Sequence, residues 1–210
     1  AGMSASQIAS ETTKTVDLDG TDVTFTLAET STSGTWDLST QAITDQAGQV
    51  VHIDNTTIED VTITNNGTMW STENNAIEFD GTTISNTATI TNNTDATIRS
   101  DSTAIDEAAV VIKDTIGSLN INNTGTMTGP HGLLVDNATV TFTNRGTVTG
   151  SLYDVNNAGT LTINNNQGAL TSDPLTLTGK LPTYNMLIVN TEDYGQLAVT
   201  NGTGTLDFDV

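Results

Sequence analysis

A seven-residue motif recurs five times along the chain, and its spacing leaves few folds open. The copies are Val61-Thr-Ile-Thr-Asn-Asn-Gly67, Ala88-Thr-Ile-Thr-Asn-Asn-Thr94, Leu119-Asn-Ile-Asn-Asn-Thr-Gly125, Val140-Thr-Phe-Thr-Asn-Arg-Gly146 and Leu161-Thr-Ile-Asn-Asn-Asn-Gln167, with starts 27, 31, 21 and 21 residues apart. Self-similarity at such a period is the signature of a stack of supersecondary units, each burying its apolar face against the next. Within each copy the alternation has the two-residue period of a strand. The first position (Val61, Ala88, Leu119, Val140, Leu161) and the third (Ile63, Ile90, Ile121, Phe142, Ile163) are apolar in all five, and Thr or Asn separates them. The apolar columns therefore face inward, and the Thr and Asn residues face water.

The fifth position is Asn in every copy: Asn65, Asn92, Asn123, Asn144 and Asn165. Strand parity turns these five amides inward. A buried amide needs hydrogen-bond partners, and stacked Asn side chains provide them as a ladder from coil to coil. Asn also tolerates the left-handed backbone of a sharp corner, which the motif's end is expected to be. A second inward column is expected at Met69, Ile98, Met127, Val148 and Leu170, and a weaker third strand near Ile77 and Phe79, Ile105, Leu133 to Val135, Val155 and Leu175. The expected fold is all-β: a right-handed parallel β-helix, or β-solenoid, of about eight to nine coils, roughly 40 Å long at a strand spacing of about 4.8 Å.

Composition agrees with many short strands and tight turns. Aromatic residues are only 4% of the 210. Thr, Ile and Val suit pleated surfaces, and Asn, Asp and Gly suit turns. One domain is expected, divided into an N-terminal tail or cap (1–14), β-helix coils (15–174) and C-terminal coils of the same domain (175–210). The alternating stretches Val16–Gly20 and Val23–Leu27 belong to the first coils, and Asp106–Lys113 reads as a loop followed by a strand. Twenty-five acidic against five basic residues give a net charge of −20. That excludes nucleic acid as a partner, because no basic patch is available to neutralise phosphates. With no cysteine, disulfides and thiol chemistry are excluded too.

Chemistry has little to stand on. Polysaccharide-cleaving solenoids need clustered carboxylates, basic residues and aromatic platforms, but the only Arg residues are Arg99 and Arg145, and the only Trp residues are Trp36 and Trp70. Parity puts Trp70 outward, either as a sugar platform or as a packing residue. The two His residues, His52 and His131, lie near no nucleophile motif. The acidic groups Asp17/Asp19/Asp22, Asp106/Glu107 and Asp207/Asp209 match no calcium-loop pattern. No catalytic residue, metal or cofactor is expected. The sharper candidate is the outward Thr file, Thr62, Thr64, Thr89, Thr91, Thr141 and Thr143, continued by Asn120, Asn122, Thr162 and Asn164. Such a flat hydroxyl and amide face suits self-association or a host or cell-surface ligand. A carbohydrate-binding or carbohydrate-active solenoid of phage-fibre-like kind and, less strongly, ice binding are the alternatives.

The stretches Asn-Asn-Gly-Thr-Met (65–69), Asn-Thr-Gly-Thr-Met (123–127) and Asn-Arg-Gly-Thr-Val (144–148) resemble the short repeats of bacterial autotransporter passenger domains. The segment from Tyr184 to Val199, with Tyr194-Gly195-Gln196-Leu197 at its centre, resembles the autochaperone region that precedes the translocator barrel in that family. The resemblance covers roughly residues 50–210. It implies a secreted or cell-surface passenger of a Gram-negative bacterium with no catalytic activity. It also implies a translocator β-barrel in the same precursor, folding from the C-terminus outward, and a structural, adhesive or self-associating role.

Overall fold

The computed structural model describes residues 49–55, 57–155, 158–171 and 173–210, and the backbone of five strands between residues 12 and 44. Residues 1–11 of the expected tail, with Asp17 and Asp19, lie outside the described residues. Among the described residues every regular element is a strand. One sheet has nine strands in the order Thr12–Val16, Asp22–Leu27, Thr57–Asn65, Thr83–Asn92, Ser118–Asn123, Thr139–Asn144, Thr160–Asn165, Thr183–Met186 and Asp207–Asp209. Spatial order equals chain order, yet successive strands are separated by whole strands of the other sheet, as in a solenoid wall. All neighbours after the first pair are parallel. The second sheet supplies the other two sides of each coil, in files through Thr68–Ser71 and Thr97–Ser100 and through Val51–Asp54, Ile77–Asp80 and Ala108–Lys113. These files merge on the long strand Thr126–Asp136, which pairs with both.

The stack has about seven turns rather than eight or nine. The N-terminal region uses its residues differently from the expected first coils. Thr12–Val16 folds back antiparallel on Asp22–Leu27, and Ala42–Thr44 folds back antiparallel on Thr35–Asp37. Val23 then pairs with Val61, so a single long coil separates them.

The motif columns superpose residue on residue. Val61, Ala88, Leu119, Val140 and Leu161 are in register, as are Ile63, Ile90, Ile121, Phe142 and Ile163, and all ten are buried. Tyr184 continues the second column. Met69, Ile98, Met127 and Val148 form the expected column on the next side, but Leu170 does not join it and is 69% exposed. The cause is Gln167. Its amide receives a hydrogen bond from the Val148 N–H (2.7 Å) and donates one to the Val148 carbonyl (3.1 Å). This side chain substitutes for a strand, so the following backbone turns away and carries Leu170 into solvent. On the third side, Val51, Ile77, Val110, Leu133 and Leu152 align. Ile105, 84% exposed on the loop before Ala108–Lys113, and Val155, half-buried on the outer surface, are not the inward residues expected there. Leu175 is inward, in register with Leu197.

The left-handed corner also falls elsewhere. The ladder Asn residues do not have positive φ. Asn55 (φ 45°), Gly81 (63°), Asp114 (44°) and Asn137 (54°) do, at the turn from the third side into the motif strand. They follow in-register Asp54, Asp80, Lys113 and Asp136 and therefore stack. Only residues that tolerate the left-handed region occupy this column.

Close stacking also explains the Gly of the motif. A β-carbon on Gly146 would lie 2.1 Å from the carbonyl oxygen of Gly125, which already accepts the Thr147 N–H at 2.9 Å. The clash is with backbone of the neighbouring coil and cannot be relieved by a rotamer change. Gly146→Ala is therefore expected to lower unfolding stability by about 2 kcal/mol, as overpacking does, measured by urea denaturation. A change of a few tenths would show that the coils tolerate a wider separation at this corner.

Candidate functional site

Asn65, Asn92, Asn123, Asn144 and Asn165 end their strands in register, each at most 1% exposed. Each Nδ2 donates to the next Oδ1, at 2.9, 2.8, 2.9 and 3.0 Å along the series. The second hydrogen of each amide goes to the coil above: Asn65 to the Thr97 carbonyl (2.9 Å), Asn92 to Thr126 (3.0 Å) and Asn123 to Thr147 (3.3 Å). Asn144 donates instead to the Gln167 side-chain oxygen at 3.0 Å. All the dipoles point the same way, so each bond polarises the next.

The Tyr184–Leu197 segment meets the ladder at its C-terminal end. The Asn165 amide donates to the Tyr184 hydroxyl (3.1 Å) and to the carbonyls of Gln167 (2.9 Å) and Gln196 (3.3 Å). A β-carbon on Gly195 would lie 2.0 Å from the Asn165 carbonyl. Leu197 pairs with Leu175, and Tyr194 contributes its backbone carbonyl to Ala169 N–H. Burial raises the Tyr184 hydroxyl above its usual value of 10.0, with the Asn165 hydrogen bond opposing. The neutral phenol is thereby kept as the ladder's last acceptor. Gln167 was missed in the sequence. Its only signal is that the fifth motif copy ends in Gln where others end in Gly or Thr.

The Thr file lies on the outer side of the same strands. Thr62, Thr89, Asn120, Thr141, Thr162 and Thr183 form one line, and Thr64, Thr91, Asn122, Thr143, Asn164 and Asn185 a second. Thr62 and Asn120 are exposed and the rest half-buried by their neighbours. The amides link laterally, Asn164 to Thr143 Oγ1 at 3.1 Å and Asn185 to Asn164 Oδ1 at 2.7 Å. None of these twelve residues is charged, in a chain of net charge −20. The lines end at Asp207 and Asp209, which pair with Thr183 and Asn185.

Trp70 points outward, beneath Arg99, whose guanidinium lies 5.0 Å from the ring centroid. Asp101 binds both, accepting from Trp70 Nε1 (2.8 Å) and from Arg99 Nε (2.6 Å). The Arg99 hydrogen bond holds the Asp101 carboxyl below its usual value. The cation covers one face of the ring. Trp36 falls on the strand Thr35–Asp37. His52 is on an outer file opposite Glu78. The structure brings His131 to Ser151 of the adjacent coil, Nδ1 to Oγ at 2.6 Å, while His131 Nε2 lies 2.8 Å from the Ile105 carbonyl. That carbonyl only accepts, so Nε2 donates to it. The imidazole thus fastens the loop carrying Ile105 to the stack. Among the described residues no group of three or more His, Cys, Asp or Glu is placed to hold a metal ion.

Along the third side, Asp54, Asp80, Lys113 and Asp136 form an outward file. Burial raises the Asp80 carboxyl above 3.8; Glu78, Asp54 and Asp114 add to the rise and Lys113 opposes it. The folded state then holds this proton more tightly than the unfolded chain. The stability associated with Asp80 is therefore lost as pH rises from 3.8 through the raised folded value.

The geometry defines a class: a parallel β-solenoid closed by an internal amide ladder, with one uncharged Thr/Asn face. No protein-family model, curated protein or solved structure matches the chain.

Two outcomes follow from the ladder and the acidic file. Asn123→Ala leaves the Asn92 donor and the Asn144 acceptor without their partner in a buried column. It is expected to cost about 3 kcal/mol in chemical denaturation, the cost of buried unsatisfied polar groups; a loss under 1 kcal/mol would mean that the backbone bonds alone hold the register. Asp80→Asn is expected to raise the melting temperature at neutral pH, with the gain disappearing in melts below pH 3.8.

Proposed function

We propose that the chain is a rigid structural and adhesive module of the autotransporter-passenger type, secreted or cell-surface, which associates side by side with a second copy through its Thr/Asn face. The observation that carries this reading is the separation of charge from that face. Two molecules of charge −20 repel one another, and twelve neutral outward residues on six successive strands offer an approach without opposed carboxylates. Hydroxyls and amides on a rigid pleated surface present donors and acceptors at fixed intervals, about 6.6 Å along each strand and 4.8 Å across the stack. A matching face meets them with little ordering cost, because the coils already fix the side chains. The Asn-x-Gly-Thr repeats and the Tyr194–Leu197 segment support the passenger assignment, with a translocator β-barrel in the same precursor.

Sedimentation velocity across a concentration series is the test. Association is expected to strengthen with added salt, which screens the residual repulsion. Thr91→Glu combined with Thr143→Glu is expected to abolish it. The control, Thr128→Glu with Thr149→Glu, adds the same charge on a different side and is expected to preserve it. A wild-type protein that stays monomeric at every concentration and salt level would overturn this reading. A monomer that inhibits ice recrystallisation would instead assign the face to ordered water.

A further inference from the structure

The strand Ala108–Lys113 breaks the alternation that the first five residues of every motif copy obey. Ala108, Ala109, Val110, Val111 and Ile112 are all buried. A solenoid strand normally packs one side against the core and leaves the other to solvent, so five consecutive buried residues mean that its outer side is covered too. Ile105, Asp106 and Glu107 of the loop before it border the same cleft as Val111 and Leu134. Ala108, Val111 and Leu134 form a small apolar cluster separate from the main core, with Tyr153 and Val155 packed against it. Val111, Leu134 and Tyr153 are in register on three successive coils.

The cleft is a cavity of about 440 Å³, with Val111, Leu134, Tyr153 and Val155 among its lining. Four carboxylates line it as well: Glu78, Asp106, Glu107 and Asp136. Among the described residues the one cation in its wall is Lys113, which neighbours Asp80 and Asp136 in the outer file. The frame is built from buried or tied groups. Asn75, 5% exposed, accepts the Ala108 N–H at 2.8 Å and donates to Glu78 at 2.9 Å, and Gln49 donates to the same Glu78 oxygen at 2.6 Å. His131 holds the loop through the Ile105 carbonyl, and its ring lies 5.0 Å from that of Tyr153. One polar atom is out of place: Glu107 Oε2 is shielded from solvent and has no hydrogen-bond partner. A shielded carboxylate oxygen without a partner is costly, and a turn of the part-buried Glu107 side chain, which lines the cleft, would bring it to a donor there.

We propose that this cleft receives a Lys or Arg side chain from a basic segment of a partner protein. The aliphatic stem covers Leu134 and Val111, the head group lies against the Tyr153 ring, and Glu107 accepts its N–H donors. The excess of carboxylates selects a cation, and the apolar floor selects one carried on a hydrocarbon stem rather than a bare ion. The floor also sets the site apart from the general negative surface, which attracts any cation without preference. A second copy of this chain is a poor source, with five basic residues against twenty-five acidic ones. The inference is independent of association through the Thr/Asn face, which lies on another side of the coil.

The test is an NMR titration of the full chain with end-blocked tri-arginine, alongside tri-lysine, tri-glutamine and calcium chloride. Saturable shifts confined to Val111, Leu134, Tyr153 and the loop are expected with the two basic peptides and absent with tri-glutamine and calcium. Tyr153→Ser, which leaves the charge unchanged, and Glu107→Gln, which removes no internal hydrogen bond, are each expected to weaken binding about tenfold. Asp95→Asn removes one remote carboxylate at a left-handed position (φ 66°) that Asn tolerates and is expected to leave affinity unchanged. Melting curves establish that each variant is folded. Shifts spread over the acidic surface, or an equal loss in Asp95→Asn and Glu107→Gln, would overturn the proposal, as would no saturable binding at all.

Discussion

The structure depends on register between coils. Each turn satisfies its backbone by pairing with the turns on either side, and no turn has a core of its own. The amide ladder makes this register strict. Four successive Asn–Asn bonds of 2.8 to 3.0 Å cannot form unless equivalent residues lie directly over one another. A slip of one residue would put every Thr of the outer face into the core and every Ile into water. The apolar columns disfavour that slip through burial, and the ladder disfavours it again through unpaired amides.

Strict register decides where variation is permitted. Coils of 21 residues and of 31 residues carry the same motif strand in the same place, so the additional residues leave the stack as loops at its corners. The loop 101–107 is one such excursion, and its residues Ile105 to Glu107 border the cleft beside the small outer cluster of Ala108, Val111 and Leu134. Termination follows the same logic. The ladder needs a last acceptor, and Tyr184 provides a neutral hydroxyl. The strand over Val148 needs a substitute where the next coil departs, and Gln167 provides an amide with both a donor and an acceptor. At the other end Leu27 occupies the ladder position in register with Asn65, and an antiparallel strand covers the first sheet edge.

The parts legible in the sequence were those governed by a two-residue period. Ile63 to Ile163 and Asn65 to Asn165 could be placed inward because parity alone decides a side chain's direction within a strand. Corners have no such period. Asn is abundant and serves two ends there, stacked amide and left-handed turn, and nothing in the motif itself separates Asn65 from Asn55; the Asp-Asn, Asp-Gly and Lys-Asp pairs before the first four motif strands were the available signal. Leu170 and Ile105 misled because an apolar residue in an excursion looks like one in a strand when the length of the excursion is unknown. The Thr/Asn face was legible for the same reason as the core. The cleft was not, since His131 and Ser151, or Asn75 and Ala108, meet only through the coil register, across 20 and 33 residues of chain.

The distribution of charge follows from the stacking as well. In a solenoid any outward position is repeated at about 4.8 Å along the axis, so a carboxylate in the motif would become a line of carboxylates. Opposed like charges on neighbouring strands are destabilising; the Asp80 carboxyl is raised first by burial, and the nearby carboxylates of Glu78, Asp54 and Asp114 add to that rise. The most repetitive strand of this chain carries none at its twelve central outward positions. The negative charge is carried instead at corners, on loops, on the less regular third side, where Lys113 interrupts the acidic file, and at the margins of the first sheet, as at Glu59, Asp60, Asp207 and Asp209 on strands that flank the lines. The regularity that builds the core thus also confines the neutral surface to one side, and the proposed association between copies rests on that separation of charge.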